Sequence, residues 1–117
     1  MEFEISDSPL DATTHVVDLG GEVDLYTAPQ FEARMAEIID AGKTHLVVDL
    51  RQTTFFDSTA LSALIGGLKR VQAAGGSMAV ACPAGHVLQV LEVTGLKRLI
   101  PIYATRGEAL AAASDGR

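Results

Sequence analysis

Apolar and polar residues alternate through Phe3-Glu4-Ile5, break at Ser8-Pro9-Leu10-Asp11, and resume as Thr14-His15-Val16-Val17-Asp18-Leu19. Two short runs of this kind around a polar turn predict a β-hairpin. After Gly20-Gly21-Glu22-Val23-Asp24 the period changes. Phe31, Met35, Ile38 and Ile39 fall at i, i+4, i+7 and i+8, one face of a helix, with Thr27 at the N-cap, Pro29 in the first turn and Ala41-Gly42 at the stop. His45-Leu46-Val47-Val48-Asp49-Leu50 is nearly continuous in apolar character and predicts a central strand covered on both faces. A second helix is expected from about Ser58 to Ala74, with Leu61, Leu64, Ile65, Leu68 and Val71 on one side and Gly75-Gly76 as its stop. Met78 to Cys82 reads as another buried strand, and Gly85 to Val93 as a short helix with Val87, Val90 and Leu91 inward. Leu99 to Tyr103 reads as a last strand, placed at an edge by Pro101. Thr105 and Glu108 have capping-box spacing and open a terminal helix. Helices alternating with strands after an initial hairpin predict an α/β sandwich, a mixed sheet of four to five strands flanked by about four helices. Residues 1–113 are expected to form one domain, with 114–117 as a frayed tail.

Composition narrows the function classes. The 117 residues, 48% hydrophobic and 21% charged, have the size and balance of one globular domain and lie outside the signature of disorder. The net charge is −6 with no run of Lys or Arg, so the basic footprint of a nucleic-acid-binding domain is missing. No apolar run approaches the roughly 18 to 20 residues of a membrane span, and the amino terminus is acidic where a signal peptide needs a basic segment. A cytoplasmic protein without membrane or nucleic-acid partners is expected. Cys82 is the single cysteine, which excludes an internal disulfide and reads as a small buried residue at a strand end. His15, His45 and His86 are dispersed without metal-ligand spacing, and neither GxxxxGK[ST] nor GxGxxG occurs. No metal, no cofactor and no catalytic centre are expected, which leaves a binding module.

The chemistry concentrates in Arg51-Gln52-Thr53-Thr54-Phe55-Phe56-Asp57-Ser58-Thr59-Ala60-Leu61, read as a loop between the central strand and its helix. Function collects at such carboxyl ends of strands in α/β sheets. Asp57 falls at the N-cap and Ser58 at the first helical position, beside unpaired N–H groups and the positive end of the helix dipole. A phosphate there is compatible with the helix, yet it adds about −1.5 to −2 charges beside the Asp57 carboxylate. A partner packed on a neutral hydroxyl would then bury a dianion, and without a compensating cation a loss of about 3 kcal/mol weakens binding roughly a hundredfold. The plainer reading is that Asp57, Ser58 and Thr59 only start a helix. Ser62 and Gly66, one and two turns on from Ser58, run up a flank away from the leucine stripe toward Lys69 and Arg70. Gly66 and Gly67 each cost about 1 kcal/mol against alanine inside a helix. Close approach of another surface, or packing against the protein's own sheet, accounts for them equally.

With these residues the chain resembles the STAS-domain anti-sigma factor antagonists of bacteria, also called anti-anti-sigma factors. The matching segments are Gly20-Gly21-Glu22-Val23-Asp24, Val47-Val48-Asp49-Leu50, Phe56-Asp57-Ser58-Thr59-Ala60-Leu61, Ala73-Ala74-Gly75-Gly76 and Thr94-Gly95-Leu96, in order over essentially the whole chain. The resemblance implies a STAS-like sandwich and a partner-switching cycle. The unmodified protein binds an anti-sigma factor that is also a serine kinase and so frees a sigma factor for transcription. Phosphorylation of Ser58 reverses that binding, and a metal-dependent serine phosphatase resets the protein. The resemblance also implies a binding surface of Asp24, Asp57, Ser58, Thr59, Ser62 and Gly66. Asp24 reads equally as a carboxylate capping the first helix. Ser-Thr-Ala-Leu stands where the family more often has Ser-Gly-Leu or Ser-Ser-Gly, so Thr59 sets a second hydroxyl beside the acceptor.

Two other readings compete. A two-component receiver would use Asp49 as an acceptor at a strand end, but it begins with a strand leading into a helix and carries a lysine where Cys82-Pro83-Ala84 stands. A STAS module that scaffolds signalling complexes or serves a transport system keeps the fold and dispenses with serine phosphorylation.

Overall fold

A computed structural model describes residues 3–115. The elements are β1 (Phe3–Pro9), β2 (Thr14–Val23), α1 (Ala28–Asp40), β3 (His45–Phe56), α2 (Ser58–Ala73), β4 (Ser77–Ala81), α3 (His86–Val93), β5 (Ile102–Tyr103) and α4 (Arg106–Asp115). Among the described residues five strands form one sheet in the order β1-β2-β3-β4-β5. β1 and β2 form the expected antiparallel hairpin, and the remaining neighbours are parallel. The sheet is therefore mixed, with β3 at its centre and β5 at an edge.

The two faces of the sheet carry unequal cores. On one, Phe31 and Met35 of α1, Leu64, Leu68 and Val71 of α2, and Val87 and Leu91 of α3 pack on Val17, Leu19, Leu46, Val48, Leu50 and Val80. The opposite face is covered more thinly: Ala109 and Ala113 of α4 meet Val16, Val47 and Ala81. Burial on both sides explains the apolar run at the start of β3. It ends after Leu50, because Arg51, Gln52, Thr54 and Phe55 are exposed.

Three expectations are corrected. The segment Arg51 to Phe56, read as loop, continues β3, because parallel pairing with β2 persists to Val23↔Phe56 across register shifts around Gly20 and Glu22. Strand β5 is confined to Ile102–Tyr103, while Leu96–Arg98 forms a 3-10 turn with Ile100 N–H donating to the Leu96 carbonyl. Pro101 has no N–H, but its carbonyl accepts from Val80 N–H, so the chain runs beside β4 before the strand proper begins. Ser114 and Asp115, read as tail, belong to α4; Gly116 and Arg117 lie outside the described residues. The capping box is present: Glu108 N–H donates to Thr105 Oγ1 at 3.1 Å and Thr105 N–H to Glu108 Oε1 at 3.2 Å.

α4 is fastened by charge. Arg106 Nη1 reaches Asp49 Oδ2 at 2.8 Å and also pairs with Asp18, and Asp49 takes Arg51 N–H at 2.9 Å and Arg51 Nε at 2.8 Å. Burial opposes ionisation of Asp49, but the Arg51 backbone N–H and then the Arg106 and Arg51 side chains outweigh it and hold the carboxyl below its ordinary value. A carboxyl depressed in the folded state stabilises above its unfolded pKa and loses that contribution as pH falls through the folded value. Urea midpoints are therefore expected to fall below about pH 4 more steeply for the parent than for Asp49→Asn, which cannot ionise. Parallel curves for the two proteins would contradict this ion cluster.

Candidate functional site

The site grows from the shared end of β2 and β3. Val23 pairs with Phe56, and Asp57 N–H donates to the Val23 carbonyl at 3.4 Å, so Asp24 and Asp57 leave the sheet side by side. Phe56, 1% exposed, anchors the end of β3 in the core. Asp57 is extended (φ −101°, ψ −171°), and its Oδ1 accepts from Ala60 N–H at 2.9 Å, the geometry of an N-cap. Ser58 is thereby the first helical residue and is exposed. Thr59 is half-buried beside it, and Ala60 is fully buried beneath.

The flank of α2 is resolved residue by residue. Ser62 is exposed and Gly66 half-buried. A Cβ on Gly66 would meet nothing within 4 Å, whereas one on Gly67 would collide with Met35 and come within 3.2 Å of Met78 Cε. The glycine pair thus divides: Gly67 lets α2 press on the core, and Gly66 leaves a bare strip of helix facing outward beyond Ser58 and Ser62. Gly66→Ala is expected to raise stability by up to about 1 kcal/mol, read as a higher urea midpoint at unchanged m-value. A lower midpoint would mean that something does cover this strip.

Asp24 is half-buried, and its Oδ1 accepts from Tyr26 N–H at 2.9 Å and Thr27 N–H at 3.1 Å, with Thr27 Oγ1 at 3.2 Å. Thr27 occupies the N-cap position but makes no side-chain cap; its hydroxyl donates to the Glu22 carbonyl at 2.9 Å. The Asp24 carboxylate, one residue beyond β2, instead holds the turn that leads into α1, which corrects the expectation for Thr27 and gives Asp24 a structural role. Between the two stand Leu25, 62% exposed, and Tyr26, 83% exposed. The sequence reading passed over both. A signal was there, since two large apolar residues occupied a turn where polar ones are the rule.

Other candidates lie elsewhere. Asp49 is 2% exposed in mid-strand, engaged by two arginines, and not presented at a strand end as a receiver acceptor would be. Cys82 is 2% exposed, its thiol pushed up to about 11 by burial and then by the Asp49 charge, so it is an unreactive packing residue. His15 stands near the start of β2, with Nε2 at 2.6 Å from Asp7 Oδ1, and His45 opens β3, with Nδ1 at 2.8 Å from Ser77 Oγ.

Comparison with known proteins supplies the context for this surface. The STAS domain family model matches residues 7–109. The chain is 31% identical over 88 residues to the anti-sigma-B factor antagonist of Bacillus subtilis, covering 75% of this chain and 80% of that one. It is 33% identical over 96 residues to the anti-sigma F factor antagonist of Paenibacillus polymyxa, covering 81% and 82%. The crystal structure of an anti-sigma factor antagonist from Mycobacterium paratuberculosis superposes with a TM-score of 0.83 at 26% identity, over 97% of this chain and 96% of that one.

Proposed function

Since this chain belongs to the STAS domain family, among relatives named as anti-sigma factor antagonists, we propose that it is a phosphorylation-switched binding module of the cytoplasm and not an enzyme. Its unphosphorylated form docks an anti-sigma factor that is also a serine kinase, and the sigma factor held by that protein is released. Transfer of phosphate to Ser58 ejects the antagonist, and a serine phosphatase restores it. Asp24, Asp57, Ser58, Thr59, Ser62 and Gly66 form or frame the docking face.

The observation that carries this reading is the exposed Ser58 hydroxyl on the first residue of α2. Its neighbour Asp57 already spends a carboxylate oxygen on the Ala60 N–H, so the cap survives whatever happens to the serine. A phosphate there leaves the fold intact and changes the face that a partner meets, which is the division of labour a switch needs.

Incubation with the cognate anti-sigma factor kinase and ATP, followed by phosphopeptide mapping, tests the reading. Label is expected on Ser58, retained in Thr59→Val and lost in Ser58→Ala, with the Ser58→Ala protein remaining bound. Absence of label from the parent, with the kinase active on a known substrate, would favour a STAS scaffold or transport-system subunit instead.

A further inference from the structure

From the exposed apolar pair on the β2–α1 turn we infer that Leu25 and Tyr26 are the affinity anchor of the docking face, inserted into an apolar pocket of the anti-sigma partner. Ser58 is the switch beside them. This inference rests on the proposed function and deepens it by separating what holds the partner from what releases it.

Exposure is the first support. Tyr26 is 83% and Leu25 62% exposed, in consecutive positions of a tight turn, where apolar surface yields nothing to folding. Large aromatic side chains in that state mark interaction sites, and tyrosine is enriched among residues that dominate binding energy. The second support is position. The turn leaves β2 immediately after Val23, whose partner Phe56 is two residues before Ser58, so anchor and switch emerge from adjacent strand ends.

Rigidity is the third support. Asp24 Oδ1 accepts from the N–H groups of Tyr26 and Thr27, the Asp24 carbonyl accepts from Thr27 and Ala28 N–H, and Thr27 Oγ1 bonds the Glu22 carbonyl and the Asp24 N–H. The turn is thus held in one shape before any partner arrives, and a preorganised anchor avoids the ordering entropy that a mobile loop would lose on binding. This gives Asp24 its place in the surface: its carboxylate positions the anchor.

The pair also indicates the partner's chemistry, because Leu25 and Tyr26 call for an apolar pocket. Asp24 and Asp57 each engage backbone N–H donors of this chain through Oδ1 and keep their negative charge, so a phosphate on Ser58 adds a dianion to a face that is already acidic.

Calorimetric titration of the purified cognate anti-sigma factor kinase into the parent, Tyr26→Ala, Leu25→Ser and Tyr26→Phe tests this. Tyr26→Ala and Leu25→Ser are each expected to weaken binding at least tenfold with unchanged urea midpoints, and Tyr26→Phe by less than threefold. In the kinase assay Tyr26→Ala should raise KM for Ser58 phosphorylation and leave kcat unchanged, because the anchor holds the substrate without touching the transferred phosphate. Parent-like binding by both Tyr26→Ala and Leu25→Ser would overturn the anchor while leaving the Ser58 switch standing. Failure of the parent itself to bind any anti-sigma factor kinase would instead remove the proposed function.

Discussion

Ser58→Asp is expected to weaken binding to the anti-sigma factor about a hundredfold, a loss of about 2.7 kcal/mol, while the far-ultraviolet circular dichroism spectrum and urea midpoint stay those of the parent. Two effects separate here. In the free protein a carboxylate at the first position of α2 faces solvent and the positive end of the helix dipole, which is neutral to mildly stabilising. In the complex the same charge is buried beside Asp57 with nothing of opposite sign to meet it, and burial of an unpaired charge costs several kcal/mol. Denaturation reads the effect in the free protein and calorimetry the effect in the complex. Equal affinity for the two proteins would sink the switch, and a collapsed urea midpoint would show that Ser58 serves the fold.

Phe56→Ala carries the largest expected stability loss at the site, about 4 kcal/mol, from lost transfer energy plus the cavity left behind. Phe56 is 1% exposed and belongs to the principal core. It is also the last residue of β3, one before the N-cap of α2. The substitution is therefore expected to loosen the join that sets Asp57 and Ser58 beside the Asp24 turn, so binding suffers along with stability. Phe56→Leu should recover most of both. A loss below about 1 kcal/mol in urea denaturation of the alanine variant would show that this join is held by something other than the core.

The helices were legible in the sequence because their signals are local and periodic: the spacing of Phe31, Met35, Ile38 and Ile39, and the leucine stripe of α2. Asp57 and Ser58 were legible for the same reason, since an N-cap depends on residues within one turn. The extension of β3 through Arg51 to Phe56 was not. Those residues alternate poorly, and they are strand because β2 runs alongside them as far as Val23, a partnership 33 positions away in sequence that no local pattern reports. Gly66 and Gly67 read identically in the chain; only Met35, brought over by α1, tells them apart. Leu99-Ile100 has strand character, yet Ile100 serves the core from the bend that follows the 3-10 turn and Leu99 is left 58% exposed. The Asp24 turn was half legible: its carboxylate had been weighed as a cap, but the apolar pair that it presents was overlooked.

The most direct test is a titration of the cognate anti-sigma factor kinase with two preparations of the full chain, one unmodified and one phosphorylated at Ser58 as verified by mass spectrometry. The account predicts tight binding of the first and an affinity at least a hundredfold lower for the second, restored by treatment with a serine phosphatase. Equal binding of the two preparations, or tighter binding of the phosphorylated one, would contradict it.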